Sequence, residues 1–317
     1  MRFRFGKRGR VSALAALSRP SNINTPSPRT ELKAIALMRI KILTIVGVGL
    51  IGGSLGLAAR RRGVAQQVIG YGRQQASLDR ALKVGAINKG VLDLREAVRP
   101  AELVVFCTPV EQIAEQVSIA AGVCTPGTIL TDVGSTKAAI VHCLEGQLPR
   151  GVHFIGSHPL AGSEKRGPEH AEAELLKDRL TVLTPTADTD PVALARLAAF
   201  WESLGSRVRT MSPEEHDTAL AVTSHLPHLL ASALAGILPP ELHDLTASGF
   251  RDTTRVAAGD PELWTGIFAQ NHAAVLAALG PLCDRLQAFR TALEKNDKTA
   301  LDNLLAQGKK VRDALGN

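Results

Sequence analysis

Aromatic residues are scarce: Phe, Trp and Tyr together make up 3% of the 317 residues, so aliphatic side chains must fill the core. Cysteine is scarce too. Cys107, Cys124, Cys143 and Cys283 are scattered and form no C-x-x-C pair. This excludes a disulfide framework and a cysteine metal cluster, and favours reduced thiols in a cytoplasmic setting. No apolar run reaches about 18 residues, so neither a transmembrane helix nor a membrane partner is expected. Most of the chain also lacks an excess of either charge. The formal net charge is +7, but residues 1–37 hold eight Lys and Arg against one acid, leaving 29 basic and 29 acidic groups beyond them. A nucleic-acid binder carries its basic patch on the folded domain, so no nucleic-acid partner is expected.

Residues 1–37 are basic and rich in Ser, Pro and Arg, the composition of a disordered extension. A transit peptide, a flexible arm and an over-extended start all fit it. The last two are preferred, because Met38 stands three residues before a strong strand pattern. The remainder has the length and the apolar content, 45% overall, for two domains with separate cores.

From Lys41 short apolar runs alternate with helical stretches. KILTIV (41–46), VIGY (68–71), ELVVFCTP (102–109), TILTDV (128–133), VHFIG (152–156), LTVLT (180–184) and SRVRTM (206–211) read as strands. The alternation implies parallel βαβ units in a Rossmann-like, doubly wound sheet. After Met211 the strand pattern stops. Ser212, Pro213 and Glu215 form a capping-box signature, and everything to Asn317 reads as helix, with breaks expected at Pro227, Pro239-Pro240, Gly259 and Gly280-Pro281. The fold class is therefore α/β: a dinucleotide-binding domain over residues 38–212, then an all-α domain over residues 213–317. HAAVLAALGPLCDRLQAF (272–289) is apolar around more than one face, which suits packing against a second copy and predicts a homodimer through the helical domain. No separate regulatory domain is expected after about residue 290.

Gly47-Val48-Gly49-Leu50-Ile51-Gly52 is a G-x-G-x-x-G run placed between a strand and a helix, the context that gives the pattern meaning. Gly47 allows the tight turn, Gly49 lets backbone approach a pyrophosphate, and Gly52 lets helix pack on strand. The helix start at Leu50 and Ile51 offers unpaired N–H groups to that anion. An NAD site normally carries Asp or Glu at the end of the second strand to bind the ribose. Here that place holds Gly72, followed by Arg73. A guanidinium suits a 2′-phosphate, so NADP is favoured and NAD remains possible, with Arg73 as a solvated helix-start residue the alternative.

Other strand ends should meet this edge. Thr108-Pro109 follows one strand, Ser135 another, and Ser157-His158-Pro159 was expected at the carboxyl end of a third. A hydroxyl and an imidazole beside a nicotinamide suggest a proton acceptor working with a hydride acceptor. As alternatives, His158 is a core histidine and Ser135 caps a helix. No metal is expected: His225 and His228 form an H-x-x-H pair, but their helix supplies no third ligand.

GVGLIGGS, CTPV, DVGSTK, GSHPLAGSE, SHLPH (224–228) and GFRDTTRVAAGDPELW (249–264) lie in this order between residue 41 and residue 270. Together they resemble the prephenate/arogenate (cyclohexadienyl) dehydrogenase family of tyrosine biosynthesis. The resemblance implies oxidative decarboxylation of prephenate, arogenate or both, with hydride transfer to NAD(P), giving 4-hydroxyphenylpyruvate or tyrosine. It makes His158 the catalytic histidine that hydrogen-bonds the substrate 4-hydroxyl, with Ser135 near the same hydroxyl. It makes Arg255 the carboxylate-binding arginine, with Asp252 and Glu164 as candidates for an ionic network around it. His228 would approach the substrate from the helical domain, and His216 and Trp264 would lie near the pocket. The missing acid at Gly72 departs from the NAD-type pattern. Two other readings are a β-hydroxyacid-type dehydrogenase, which would need a helical-domain lysine as acid/base, and a non-catalytic NADP-sensing regulator, which would need none of Ser135, His158 and Arg255.

Overall fold

The computed structural model describes residues 40–162 and 165–316. The basic extension with its candidate start at Met38, and Glu164, lie outside the described residues. Six strands form one parallel sheet: β1 (Ile40–Val46), β2 (Ala65–Tyr71), β3 (Lys89–Val91), β4 (Leu103–Phe106), β5 (Ile129–Asp132) and β6 (His153–Phe154), in the order β3-β2-β1-β4-β5-β6. The crossover helices are α1 (Leu50–Arg61), α2 (Gln75–Lys83), α3 (Leu94–Val98), α4 (Val110–Ala121) and α5 (Ala138–Leu144). Strand order reverses between β1 and β4, which opens a crevice at their carboxyl ends.

Both faces of this sheet are covered. Along β4, Leu103 and Val105 join a core with Leu43, Leu55, Phe200 and Trp201, while Val104 and Phe106 join the opposite core with Val46, Ile113 and Leu130. A two-residue period with both faces apolar explains why these strands read as unbroken hydrophobic runs. β3 went unseen in the sequence because its three residues carry no such run.

The remaining strands correct one expectation. β7 (Gly156–Pro159), β8 (Leu180–Thr184) and β9 (Arg207–Thr210) form a separate sheet in the order β7-β8-β9. β7 runs antiparallel to β8, and β9 is parallel to β8 through helix α6 (Pro191–Ser203). His158 is thus not at the carboxyl end of a strand of the large sheet; it lies within β7 of the small one. The cause is local. β5 stops at Asp132, and beyond it the Ser157 N–H donates to Asp132 Oδ1 at 3.1 Å while Ser157 Oγ donates to the Asp132 carbonyl at 2.5 Å. The chain leaves β6 at Ile155 and changes sheet with no turn residue to mark it.

Helix α7 (Pro213–Leu220) opens with the expected capping box: Ser212 Oγ accepts from the Glu215 N–H at 3.1 Å, and the Glu215 carboxylate accepts from the Ser212 N–H at 2.9 Å. It does not break at Pro227. The chain passes through a π-helical turn (Ala221–His225) into α8 (Leu226–Gly236), which absorbs the missing proline N–H. Helix α9 (Ser248–Thr254) leads into a 3₁₀ turn (Arg255–Ala258), then α10 (Pro261–Gln270), α11 (His272–Glu294) and α12 (Lys298–Ala314). The break expected at Gly280-Pro281 is also absent: Pro281 lies inside α11, on an exposed stretch where water can satisfy the freed carbonyl. Helices α10 and α11 meet at 94° around Asn271. Trp264 and Ile267 of α10 pack with Val110 and Ile113 of α4, docking the helices onto the sheet domain. No single helix among the described residues is long and apolar enough to cross a membrane.

Replacing Ser212 by Ala removes the cap of the helix that carries His216. A loss of about 1 kcal/mol is expected, read as a lower urea midpoint at unchanged slope. An unchanged midpoint would show that tertiary packing alone holds this helix start.

Candidate active site

The glycine run behaves as a phosphate cradle. Gly47 has φ +94°, and a Cβ there would meet the Cys107 carbonyl at 2.8 Å. A Cβ at Gly52 would stand 2.1 Å from the Gly47 carbonyl. At Gly49 a Cβ would meet nothing within 4 Å, so the space above this residue is open. Gly49 is also the N-cap of α1 and supplies no side-chain cap, and no acid stands in the first turn at Leu50 and Ile51. The helix start therefore presents N–H groups and a partial positive charge to an anion. A cavity of about 380 Å³ continues from Gly47 and Gly49 to Gly72, Arg73, Thr108 and Pro109. Thr108 Oγ1 donates to Gln116 Oε1 at 2.7 Å within it. Arg73 is exposed and, among the described residues, forms no ion pair, whereas Arg80 on the same rim faces Glu169 at 3.3 Å. These features fit a dinucleotide.

A second cluster surrounds His158, where β7, the loop after β5 and α7 converge. His158 Nδ1 and His216 Nε2 are 2.9 Å apart, and His216 Nδ1 lies 2.8 Å from Asp217 Oδ1. The Asp217 carboxylate is clamped from its other side: Oδ1 accepts from the Lys137 N–H at 2.8 Å and Oδ2 from the Ala138 N–H at 3.0 Å. The start of α5 is thus capped by Asp217, and Ser135 is not its cap. The Asn271 amide donates to the Asp217 carbonyl at 2.8 Å and contacts His225 Nδ1 at 3.1 Å.

Beneath these groups, Lys137 Nζ forms a fully buried ion pair with Asp132. Asp132 Oδ2 also accepts from the Gly134 N–H at 2.9 Å. Burial draws the Lys137 pKa below its ordinary value, opposed by Asp132. Burial likewise pushes His158 well below 6.5, with the charges of His216 and Lys137 acting in the same direction. His216 moves down for the same first reason, although its bond to Asp217 works upward. His225 falls to about 4, mainly through burial. In all three, burial favours the neutral imidazole. Burial and Asp132 raise the Cys107 thiol, so it is no nucleophile.

The helical side contributes an aromatic wall. The His228 ring stacks on Trp264 with centroids 3.6 Å apart and planes within 10°, and Gly259 leaves room for both rings. His225 Nε2 and His228 Nδ1 are buried without a hydrogen-bond partner among the described residues. Ser135 lies half-buried on the loop between the cofactor cradle and this cluster. His158 keeps 9% of its surface accessible. Arg255 and Asp252 are exposed on the α9–3₁₀ segment and form no ion pair with each other among the described residues. The structure thus brings His158, His216 and the Ser135 loop together, and His228 with Trp264, but links Arg255 to none of them directly. The segment after β7 reaches the helices through an ion pair between Arg166 and Asp260.

Two family models cover the chain: the prephenate dehydrogenase nucleotide-binding domain over residues 55–210 and the prephenate dehydrogenase dimerization domain over residues 212–307. A cyclohexadienyl dehydrogenase of Zymomonas mobilis is 36% identical, over 87% of this chain and 96% of that protein. The chain belongs to the prephenate dehydrogenase family. The fold agrees. The Aquifex aeolicus prephenate dehydrogenase, solved with hydroxyphenyl propionate and NAD+, superposes with a TM-score of 0.82 at 32% identity, covering 88% of this chain and 99% of that one. A Synechocystis arogenate dehydrogenase gives a TM-score of 0.73 at 34% identity, covering 86% and 99%. This member of the prephenate dehydrogenase family is accordingly an oxidoreductase with a Rossmann-type nucleotide-binding domain.

Several residues of this site escaped the sequence reading. Asp217 stands next to His216 in EEHD, where it reads as one more helix-surface acid. Asp132 and Lys137 lie within DVGSTK, but their pairing needs the turn between them. Asn271 gave no signal, because its role comes from the corner between α10 and α11.

Replacing Lys137 by Met leaves Asp132 buried and uncompensated, with an expected loss of about 3–5 kcal/mol in urea unfolding. A loss under about 1 kcal/mol would show that the backbone N–H groups alone satisfy Asp132.

Proposed function

We propose that this enzyme oxidatively decarboxylates prephenate, arogenate or both, with NADP favoured over NAD as hydride acceptor. The observation that carries the chemistry is a nearly buried imidazole, His158, held by a hydrogen bond at Nδ1 and so left to meet substrate through Nε2. The substrate class is a cyclohexadienol with a ring carboxylate, a side-chain carboxylate and a 4-hydroxyl. The Gly47–Gly52 cradle and Thr108-Pro109 would hold the dinucleotide, which when bound would supply the acceptor for the C4 hydride. His158 takes the 4-hydroxyl proton, and loss of CO₂ makes the ring aromatic. A neutral acceptor with depressed basicity is ready across the physiological range.

Ser135 supports the same hydroxyl from the loop after β5. Arg255 binds a substrate carboxylate through its planar fork. His228 and Trp264 form the wall behind the ring, where the unpartnered His228 Nδ1 and His225 Nε2 can meet polar substituents. Residues 38–212 act as the dinucleotide-binding domain and 213–317 as the substrate and dimerisation domain. A homodimer is supported by exposed Leu276, Leu286 and Leu293 along α11 and Leu305 and Val311 along α12. The preference for NADP rests on Arg73, which is exposed, unpaired among the described residues and follows Gly72, the residue standing where an NAD enzyme has an acid.

Purified protein mixed with cofactor and either substrate should generate reduced nicotinamide, followed by absorbance. His158→Asn should lower kcat on the order of 10²-fold or more; near-normal turnover in that variant would refute the role of His158. The KM for NADP should lie below that for NAD, and Arg73→Ala should raise the NADP value about tenfold while leaving NAD nearly unchanged. A strong NAD preference in the unaltered enzyme would sink the cofactor assignment.

A further inference from the structure

We propose that Asp217 and His216 are positioning residues that fix the catalytic lone pair of His158 on Nε2. The hydrogen-bond directions allow little else. Asp217 Oδ1 and Oδ2 already accept from the Lys137 and Ala138 N–H groups, so the carboxylate is held in one orientation and is acceptor-only. His216 Nδ1, 2.8 Å from Oδ1, must carry its proton there. A neutral His216 then has its lone pair on Nε2. His158 Nδ1, 2.9 Å away, must be the donor to that lone pair, which leaves His158 Nε2 unprotonated. A carboxylate two residues removed from substrate thus selects the tautomer of the base.

The inference rests on the reading of His158 as proton acceptor and adds to it a cause. Isolated imidazoles populate both tautomers, and only one of them can accept from the substrate here. The carboxylate has a second effect. When His158 takes a proton it becomes an imidazolium whose Nδ1–H points at His216, and the charge is stabilised through His216 by Asp217. No proton has to leave the cluster. The groups facing His158 and His216 from the packed elements are Asp132 from the end of β5, Lys137 from the loop after it, Asp217 from α7 and His225 from the π turn. Lys137 and His225 oppose protonation of His158, and Lys137 opposes that of His216. Asp217 and Asp132 favour the protonated form of His216.

The linkage also crosses the domain boundary. Asp217 belongs to the helical part, and its carboxylate clasps the backbone of the loop that carries Ser135, while Asn271 holds its carbonyl from the corner of α10 and α11. The base is set correctly only when the helices are seated on the sheet domain.

The direct test is ¹⁵N NMR of imidazole-labelled full-length protein near pH 7.5, with a His158→Gln spectrum used for assignment. Both His158 and His216 should show a protonated Nδ1 and an unprotonated Nε2. A protonated Nε2 on His158, or a doubly protonated His216, would overturn the proposal, and this measurement needs no variant of Asp217 to fold. Kinetics supply a second readout. Asp217→Asn should lower kcat on the order of 10-fold or more at nearly unchanged substrate KM. Removing a charge that favours imidazolium lowers the basicity of the pair, so the acid limb of kcat/KM should move to lower pH. An unmoved acid limb with wild-type turnover counts against the relay. Loss of activity in His158→Asn alongside a wild-type Asp217→Asn would reject the relay but leave His158 as the base; an active His158→Asn would reject the base itself.

Discussion

Asp132 is the residue on which the rest of the site depends. It is the last residue of β5 and fully buried, and its groups are divided among four partners: Lys137 Nζ, the Gly134 N–H, the Ser157 N–H and the Ser157 hydroxyl. An uncompensated carboxylate at this depth is costly, so the partners must all arrive together. In arriving they bend the loop that bears Ser135, end the large sheet, and start the small sheet that carries His158. The cofactor cradle depends on the same carboxyl edge of the sheet, since Gly47 lies against the Cys107 carbonyl just past β4. Hydride acceptor and proton acceptor are thereby referred to one rigid feature.

Burial then does the electrostatic work. Three histidines lie within the cluster, and desolvation is the first cause of the lowered basicity of each. In water such groups would be partly protonated near neutrality and would compete poorly as acceptors. Lys137 adds a fixed positive charge beside His158, and Asp132 keeps that ammonium from being an unpaired liability. The ion pair is therefore less a source of stability than a way to place a cation among imidazoles.

Much of this was legible in the sequence, for identifiable reasons. The glycine run, the strand alternation and the capping box at Ser212 each depend on short-range geometry that residue type dictates, and the structure reproduces them. Family motifs at DVGSTK and GSHPLAGSE singled out Ser135 and His158, and the structure sets His158 against His216. What stayed hidden depends on contacts between distant segments. VHFIG reads as one strand with Ser157-His158-Pro159 at its end, because the change of sheet at Ile155 is set by Asp132, about twenty residues earlier. Pro227 and Pro281 read as breaks because proline disfavours helix interiors, yet a π turn absorbs one and an exposed helix face tolerates the other. Asp217 looked like solvent-facing charge because its partners are backbone N–H groups some eighty residues away.

The charges inside the cluster also indicate when the proton can move. Lys137 contributes one positive charge, and Asp132 and Asp217 contribute one negative charge each, so with neutral imidazoles these groups carry a net negative charge. In the proposed reaction, transfer of the hydroxyl proton to His158 would bring them to neutrality. At His158 itself burial and the charge of Lys137 both disfavour the protonated ring, whereas Asp217 and Asp132 favour positive charge one hydrogen bond away, on His216. On the proposed mechanism, hydride loss would acidify the substrate hydroxyl and so drive proton uptake. A base made intrinsically stronger would sit protonated before the reaction; one without a nearby carboxylate would hold the new charge poorly. Placing Asp217 one imidazole away meets both demands, because it stabilises the imidazolium through His216 without touching the base directly.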